Sequence, residues 1–180
     1  MRRERSSNRN RDDLPTGDLR GRFFVTEGAL AGLERFLPTY RGVDGDHEGI
    51  GFLCGLETDR ATVLTTAIAP EADHGRGHVR CRDEQVAGAI EIANRLGLGF
   101  IAQVHTHPGG GTVHSYGDDD MIFMPFEGML SMVVPHYAHY SLRPLDSLGV
   151  HQFQDGRWRL MSRDSVRDGI LLLPNEVDLR

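Results

Sequence analysis

Two apolar runs joined by a short polar turn constrain the fold of this 180-residue chain more than any other feature. The runs read GIGFLCGL (49–56) and ATVLTTAIA (61–69), and the four residues between them read ETDR. Runs of this length and composition are typical of strands, and so short a polar connection is typical of a hairpin. The pattern therefore predicts a β-hairpin over residues 49–69.

Helical periodicity flanks this hairpin on both sides in the sequence. A strand predicted over 23–25 leads to Thr26, which occupies an N-cap position, and Pro38 ends the helix that follows. The apolar face of this helix consists of Leu30, Leu33, Phe36 and Leu37. A second helix is predicted over 82–99, and the residues expected to face the core are Val86, Ile90 and Ala93.

The rest of the chain adds more strands, and the mixture sets the fold class. Strands are predicted at FIAQVHTHP (100–108), within MLSMVVPHYAHYSL (129–142), and at GVHQFQ (149–154), WRLMS (158–162) and 170–173. Residues 70–81 are predicted to be a loop, and SYGDDDMIF (115–123) to contain a short helix. Strands that alternate with helices, some joined by short turns, predict an α/β fold with a mixed β-sheet flanked by helices.

Composition excludes several classes of function. The net charge of −6 argues against a dedicated nucleic-acid binder, which would carry a basic face. No apolar run is long enough to cross a membrane, and none follows the basic N-terminus as in a secretory signal. The two cysteines are too few for a disulfide framework, so we expect a cytoplasmic protein. Residues 1–20 are basic and contain few large apolar side chains, which predicts a disordered tail.

The segment VHTHPGGGTVHSYGDDD (104–120) carries the residues best suited to bind a metal. Alternate residues of a strand project to the same side, so His105 and His107 would point together. The glycines that follow allow the backbone to turn back toward them, which makes Asp118 the leading third ligand. Three protein ligands with one open position are typical of a catalytic zinc site.

Other interpretations of these residues remain open from the pattern alone. His-x-His pairs also occur on ordinary exposed strands, and Ser-x-x-Asp is a common helix start. His114 is a competing candidate for the third ligand. The combination of histidine pair, proline, glycine loop and Ser-x-x-Asp favours the metal site over each simpler interpretation.

This combination resembles the motif of the JAMM (JAB1/MPN/Mov34) zinc metalloproteases, in their compact prokaryotic form. That motif is His-Ser/Thr-His-Pro, a short loop and Ser-x-x-Asp, and here seven residues (108–114) separate the second histidine from the serine. The matching residues are His105, Thr106, His107, Pro108, Ser115 and Asp118. The family also carries a glutamate before a glycine-containing apolar strand, and HEGIGFLCG places Glu48 in that position.

The resemblance implies a fold, a mechanism and a substrate class. The fold would be the MPN (JAB) fold, similar to the cytidine-deaminase-like architecture, with a catalytic domain over 21–163 and a C-terminal extension over 164–180. His105, His107 and Asp118 would bind Zn²⁺, Glu48 would act as general base for the water that zinc activates, and Ser115 would stabilise the oxyanion.

The substrate would be the amide bond after the C-terminus of a ubiquitin-like protein, cleaved in deconjugation or precursor processing. Partners would be that modifier, its conjugates and associated activating or conjugating enzymes, with no nucleic acid and no membrane.

Three alternatives to this function remain. Zinc deaminases need His-x-Glu and Pro-Cys-x-x-Cys, and neither element occurs in this sequence. The DNA-repair-associated branch of the superfamily carries His-Asn-His-Pro-Ser-Gly, whereas Thr106 and Gly109 stand at the differing positions here. A non-catalytic MPN scaffold, acting as a protein-interaction module, is the third alternative. Such scaffolds usually lack ligands that this chain retains.

Overall fold

A computed structural model of the protein describes residues 13–121 and 124–175, which form a mixed α/β structure. The strands are β1 (Thr16–Gly17), β2 (Phe23–Thr26), β3 (Arg41–Gly42), β4 (Gly45–Asp46), β5 (Ile50–Glu57), β6 (Thr62–Ile68), β7 (Asp73–Gly75), β8 (His78–Arg80), β9 (Gly99–Thr106), β10 (Leu130–Val134), β11 (Gly149–Gln154), β12 (Arg157–Met161) and β13 (Ile170–Leu173). The α-helices are α1 (Glu27–Phe36), α2 (Asp83–Arg95), α3 (Tyr116–Met121) and α4 (Arg163–Gly169).

One mixed sheet organises the described part of the chain. Its nine strands pair in the order β1-β12-β11-β10-β9-β5-β6-β2-β13. The pair β5/β6 is the antiparallel hairpin expected from the sequence, and β5 also pairs antiparallel with β9. In contrast, β9 pairs parallel with β10, and β2 pairs parallel with β6. The predicted fold class, a mixed sheet flanked by helices, is confirmed.

Apolar residues pack on both faces of this sheet. Leu53 and Val104 belong to the cluster that includes Leu30 and Leu33 of α1. The neighbouring Phe52 belongs to a different cluster, which includes Ala89 of α2. Successive side chains of a strand alternate between faces, so α1 covers one face and α2 the other.

Several local features agree with the sequence. The Thr26 side chain accepts a hydrogen bond from the Ala29 amide and caps α1 as predicted. The strand over 170–173 forms as β13 and adds to the sheet edge beside β2. In α2, however, the predicted core-facing Ile90 is exposed, and the buried positions are Ala89 and Ala93.

Two segments differ from their predicted conformation. Residues 70–81, predicted as a loop, contain the hairpin of β7 and β8. The strand predicted within 129–142 ends at Val134, where Pro135 interrupts it. Residues 136–138 then form a turn whose three residues all have positive φ, between 54° and 58°. We refer to residues 136–138 as the left-handed turn.

The chain ends contribute to the domain more than expected. Residues 1–12 of the predicted tail lie outside the described residues. Within 13–20, Thr16 and Gly17 pair with β12, and Leu19 packs against the main core. The segment over 164–175, predicted as an extension, supplies most of α4 and all of β13 to the same sheet and core. No helix among the described residues is long and apolar enough to cross a membrane.

The packing of the core predicts that two leucine substitutions differ in their effect on the free energy of unfolding. Leu64 is fully buried between β5 and β2, whereas Leu96 at the end of α2 is 59% exposed. Leu64→Ala should lower the free energy of unfolding by about 2–5 kcal/mol because it leaves a cavity. Leu96→Ala should change it by less than about 0.5 kcal/mol. Urea unfolding of both variants measures the difference, and equal effects would contradict this packing.

Candidate metal centre

Three potential metal ligands converge at the end of β9. His105 lies in β9, His107 follows that strand directly, and Asp118 lies in the first turn of α3. The Nε2 atoms of His105 and His107 lie 3.3 Å and 3.2 Å from the two Asp118 carboxylate oxygens. One ligand atom from each residue lies within 4.8 Å of the others, and all three side chains are buried. Such spacing leaves room for one ion between them.

The Ser-x-x-Asp segment forms a helix start that also aims the carboxylate. The Ser115 amide donates to Asp118 Oδ2 over 2.5 Å, and the Asp118 amide donates to Ser115 Oγ over 3.2 Å. This reciprocal pair is a capping box. The simpler interpretation of Ser-x-x-Asp as a helix start is therefore compatible with a ligand role for Asp118.

The hydrogen bonds of His107 fit a metal ligand. Its Nδ1 lies 3.1 Å from the Gly111 carbonyl oxygen, which can only accept, so Nδ1 carries the hydrogen. A neutral ring then presents a lone pair at Nε2 toward the Asp118 carboxylate. A lone pair facing a carboxylate is repulsive unless a proton or a cation lies between them. Metal-binding histidines characteristically have this arrangement, with the second nitrogen donating to a carbonyl.

The surroundings of His105 favour a bound cation more strongly than those of His107. The side chain is fully buried, and neither ring nitrogen makes a hydrogen bond within the described part of the chain. Its Nε2 is within ion-pair distance of Asp118, but the geometry is not that of a hydrogen bond. A buried nitrogen without a partner is costly, and a metal ion would satisfy it. The residues present therefore fit a cation.

Electrostatics favour an ionised Asp118. Burial alone would raise the pKa of its carboxyl, but His105 and His107 outweigh burial and hold that pKa well below its usual range. Burial lowers the pKa of His107, but the hydrogen bond and charge of Asp118, together with Glu48 and the Gly111 carbonyl, outweigh burial and raise it. The site thus holds one fixed negative charge beside two imidazoles.

Glu48 lies next to this cluster, although it comes from a distant part of the sequence. Its neighbour Gly49 donates from its amide to Thr106 Oγ1 over 2.8 Å, and the Thr106 amide donates back to the Gly49 carbonyl over 2.9 Å. Thr106 lies between the two histidines, so this pair of bonds ties Glu48 to them. Burial raises the pKa of Glu48 to about 7, with His107 lowering and Asp118 raising it. A carboxyl with this pKa can exchange a proton near neutral pH.

The glycine loop after His107 is held on both sides. The His107 and Gly109 carbonyls accept hydrogen bonds from the amides of Tyr137 and His136 in the left-handed turn. On the other side, the loop lies directly on Gly149, where a Cβ would come within 1.7 Å of the Thr112 carbonyl oxygen. Only glycine allows this approach. The loop is therefore a packed wall of the site.

A buried polar network behind the site is not apparent from the sequence. His114 places Nδ1 3.0 Å from Asp119 Oδ1 and Nε2 2.8 Å from Ser131 Oγ. Both nitrogens are engaged, and His114 is not part of the three-residue ligand group. His151 stacks on it at 3.7 Å between ring centroids and accepts a hydrogen bond from the His114 amide. These partners come from α3, β10 and β11, so no local sequence pattern could reveal them.

Two further histidines and both cysteines have structural surroundings. His139 pairs with Asp46, and the His136 ring faces Gly110. Cys54 and Cys81 are both buried, and burial raises each thiol pKa to about 11, which disfavours the reactive thiolate.

Comparison with known proteins bears on the family. No protein-family model matches the chain. The chain is 33% identical over 100 residues to a protein of Sinorhizobium fredii named probable metalloprotease y4jG. The match covers 51% of this chain and 59% of that protein, so it spans less than two thirds of the relative.

Solved structures bear on the fold. The solution structure of a protein from Desulfitobacterium hafniense aligns with a TM-score of 0.63 at 12% identity, over 85% of this chain and 94% of that one. This likeness shows a shared fold. The crystal structure of a JAB1/MPN domain protein from Archaeoglobus fulgidus aligns with a TM-score of 0.44 at 14% identity, over 84% and 96% of the two chains.

The converged His-His-Asp group could hold a metal ion, and the relative from Sinorhizobium fredii carries the name of a probable metalloprotease.

The buried histidine pair predicts acid lability. Burial, followed by the charge of His105, lowers the pKa of His151 to about 3, so the ring is neutral in the folded protein. An unfolded histidine binds a proton below about pH 6.5. Stability present above that pH is therefore lost as the pH falls toward 3, by about 1.4 kcal/mol per pH unit for this group.

The substitution His151→Gln should make this slope shallower, because glutamine keeps an acceptor but does not titrate. Urea unfolding at pH 7, 6 and 5 with a chelator present measures the slope. The exposed His78→Gln serves as control and should leave it unchanged. An equal slope in the His151 variant and the unmodified protein would contradict the neutral buried ring.

Proposed function

We propose that this protein is a zinc-dependent metallopeptidase that hydrolyses the amide bond after the C-terminus of a ubiquitin-like protein. The observation that carries the proposal is the convergence of His105, His107 and Asp118 beside the buried carboxyl of Glu48. Two imidazoles and one carboxylate form a three-ligand set with one open position, as catalytic zinc sites require. Zinc held by such a set supplies Lewis acidity, which polarises a carbonyl and lowers the pKa of water to about 7.

Glu48 would move the proton during hydrolysis. As water adds to the amide carbonyl carbon, its carboxylate accepts a proton from that water. When the carbon–nitrogen bond breaks, the same proton goes to the leaving amine, and the second proton of the water stays on the new carboxylic acid until that acid ionises. The raised pKa of Glu48 supports this role, because the group is basic enough to accept the proton and acidic enough to return it.

Ser115 would stabilise the negative charge on the carbonyl oxygen. Its Oγ accepts from the Asp118 amide, which leaves the hydroxyl hydrogen free to donate. The side chain is held in place by the capping box at the start of α3, so little reorganisation is needed.

The burial of the site supports a thin, extended substrate. All five residues of the site are buried, each with less than 10% of its surface exposed: His105, His107, Asp118, Ser115 and Glu48. An amide bond flanked by bulky side chains could not reach them without rearrangement. The tail of a ubiquitin-like protein, extended and ending in small residues such as Gly-Gly, meets this requirement, and such tails bind by strand addition with little side-chain specificity.

A direct test uses fusions in which several ubiquitin-like proteins precede a reporter. The zinc-loaded protein is incubated with each fusion, and the cleaved bond is mapped by mass spectrometry. Cleavage after the terminal Gly-Gly of at least one fusion is expected. Cleavage at unrelated peptide bonds would overturn the substrate class, and a zinc stoichiometry near zero would overturn the metallopeptidase in favour of a scaffold.

Glu48→Gln should separate metal binding from hydrolysis. The amide cannot accept the proton, so kcat should fall by about 10²- to 10⁴-fold while one zinc per chain remains. Metal analysis and the fusion assay measure both quantities. Glu57→Gln, at the exposed far end of β5, is the matched control and should keep full activity. A fully active Glu48→Gln protein would exclude the general-base role.

His107→Ala should remove both properties. Two protein ligands hold zinc far more weakly than three, so stoichiometry after dialysis and activity should fall together. His78→Ala, an exposed histidine of β8, should change neither. Retention of one tightly bound zinc by the His107 variant would show that the ligands lie elsewhere.

A further inference from the structure

A second pair of histidines, distinct from the candidate metal ligands, includes the residue that directly precedes Glu48. His47 directly precedes Glu48, is buried, and places Nδ1 2.8 Å from Nδ1 of His74 in β7. Its other nitrogen, Nε2, lies 2.6 Å from Asp44 Oδ1. Neither His47 nor His74 belongs to the His-His-Asp group.

One arrangement of hydrogens satisfies all three residues. The Asp44 carboxylate only accepts, and the hydrogen bond from His47 lowers its pKa, so His47 Nε2 carries the hydrogen. In a neutral His47, Nδ1 then has a lone pair that accepts from the Nδ1–H of His74. The chain Asp44–His47–His74 is thus a fully paired set of hydrogen bonds.

Glu48 itself makes a backbone hydrogen bond to the residue that follows His74. The Glu48 amide donates to the Gly75 carbonyl over 2.9 Å, and Gly75 follows His74 in the β7–β8 hairpin. The hairpin is fixed in turn by Tyr137, whose hydroxyl donates to the Arg76 carbonyl over 2.7 Å and whose amide donates to the His107 carbonyl. The hairpin therefore links the segment of Glu48 to a segment that bears a metal ligand.

The local sequence leaves space for the His47 ring. A Cβ on Gly42 would lie 2.3 Å from His47 Cε1, so glycine at this position allows the ring to lie between Asp44 and His74. Tyr40 packs edge-on against the His74 ring, with centroids 5.1 Å apart. Both rings of the pair are thus held from outside as well as by their mutual hydrogen bond.

We propose that His47 is a positioning residue: through its hydrogen bond to His74, it fixes the segment of Glu48 against the β7–β8 hairpin and so sets the Glu48 carboxyl beside the metal centre. On the opposite side, Gly49 and Thr106 already fix the segment to β9. One anchor on each side of Glu48 restricts its backbone. This restriction reduces the reorganisation that is required when the carboxyl takes a proton. The proposal rests on the proposed role of Glu48 as base.

The experiment removes the donor from His74 in the zinc-loaded full chain. His74→Leu lacks the donor, His74→Gln keeps an N–H, and His78→Leu is the matched control on the exposed side of the same hairpin. Amide hydrogen exchange at Glu48 reports the anchor without requiring activity. Exchange should accelerate about tenfold or more in His74→Leu, return close to the original rate in His74→Gln, and stay unchanged in His78→Leu.

Kinetics on a cleaved fusion supply the second readout. His74→Leu should lower kcat by about 10- to 100-fold with little change in KM, zinc content or melting temperature, because only the position of the base changes. If His74→Leu unfolds, Asp44→Ala tests the same chain of bonds from its exposed end, and a smaller loss in the same direction is expected.

The outcomes separate the two proposals. If no fusion is cleaved by the unmodified protein, the proposed function fails while the exchange data still decide the anchor. Unchanged exchange and unchanged kcat in His74→Leu would overturn the positioning role. Loss of a second equivalent of zinc in that variant would overturn it too, because the histidine pair would then be a metal site.

Discussion

The buried carboxylate of Asp118 is the group on which the rest of the site depends. Burial by itself would favour its neutral form, yet His105 and His107 keep it charged, and its own helix start donates an amide hydrogen to it. One carboxylate thus joins the end of β9 to the first turn of α3. Because His107 already donates its Nδ1 hydrogen to Gly111, its remaining lone pair and the carboxylate need a positive charge between them. The arrangement therefore favours a bound cation.

The pairing of strands in the sheet brings Glu48 to the site, which the local motif around His105 cannot do. His105, His107, Ser115 and Asp118 all come from one short stretch, so their assembly needs a single strand, a loop and a helix start. Glu48 comes from far away, and its neighbour Gly49 is 57 positions from its partner Thr106. Antiparallel pairing of β5 with β9, in which Ile50 opposes His105, brings the two regions together. The three candidate metal ligands and Glu48 therefore depend on different parts of the fold for their positions.

This division also explains what the sequence could predict. The hairpin of β5 and β6, the Thr26 cap and the Ser-x-x-Asp helix start are local, and their patterns were sufficient. The prediction that Ile90 faces the core was wrong because the neighbouring Ala89 occupies that place, and alanine gives little hydrophobic signal; Ala93 is buried as predicted. Only the family resemblance predicts a role for Glu48 at the site, since an acidic residue in this position is by itself typical of a solvated loop. The contacts of His114 with Ser131 and of His47 with His74 join remote elements and have no local pattern.

The left-handed turn over residues 136–138 restricts how this wall of the site can change during evolution. Each of its three residues pays a steric cost of about 1–2 kcal/mol for its side chain in this conformation. The hydrogen bonds that the amides of its first two residues donate to the Gly109 and His107 carbonyls hold the turn in place. Replacement by glycine or asparagine would relieve the crowding, but valine, isoleucine or threonine would add to it. Divergent sequences that keep this backbone should therefore avoid β-branched residues here, even where the side chain itself faces solvent.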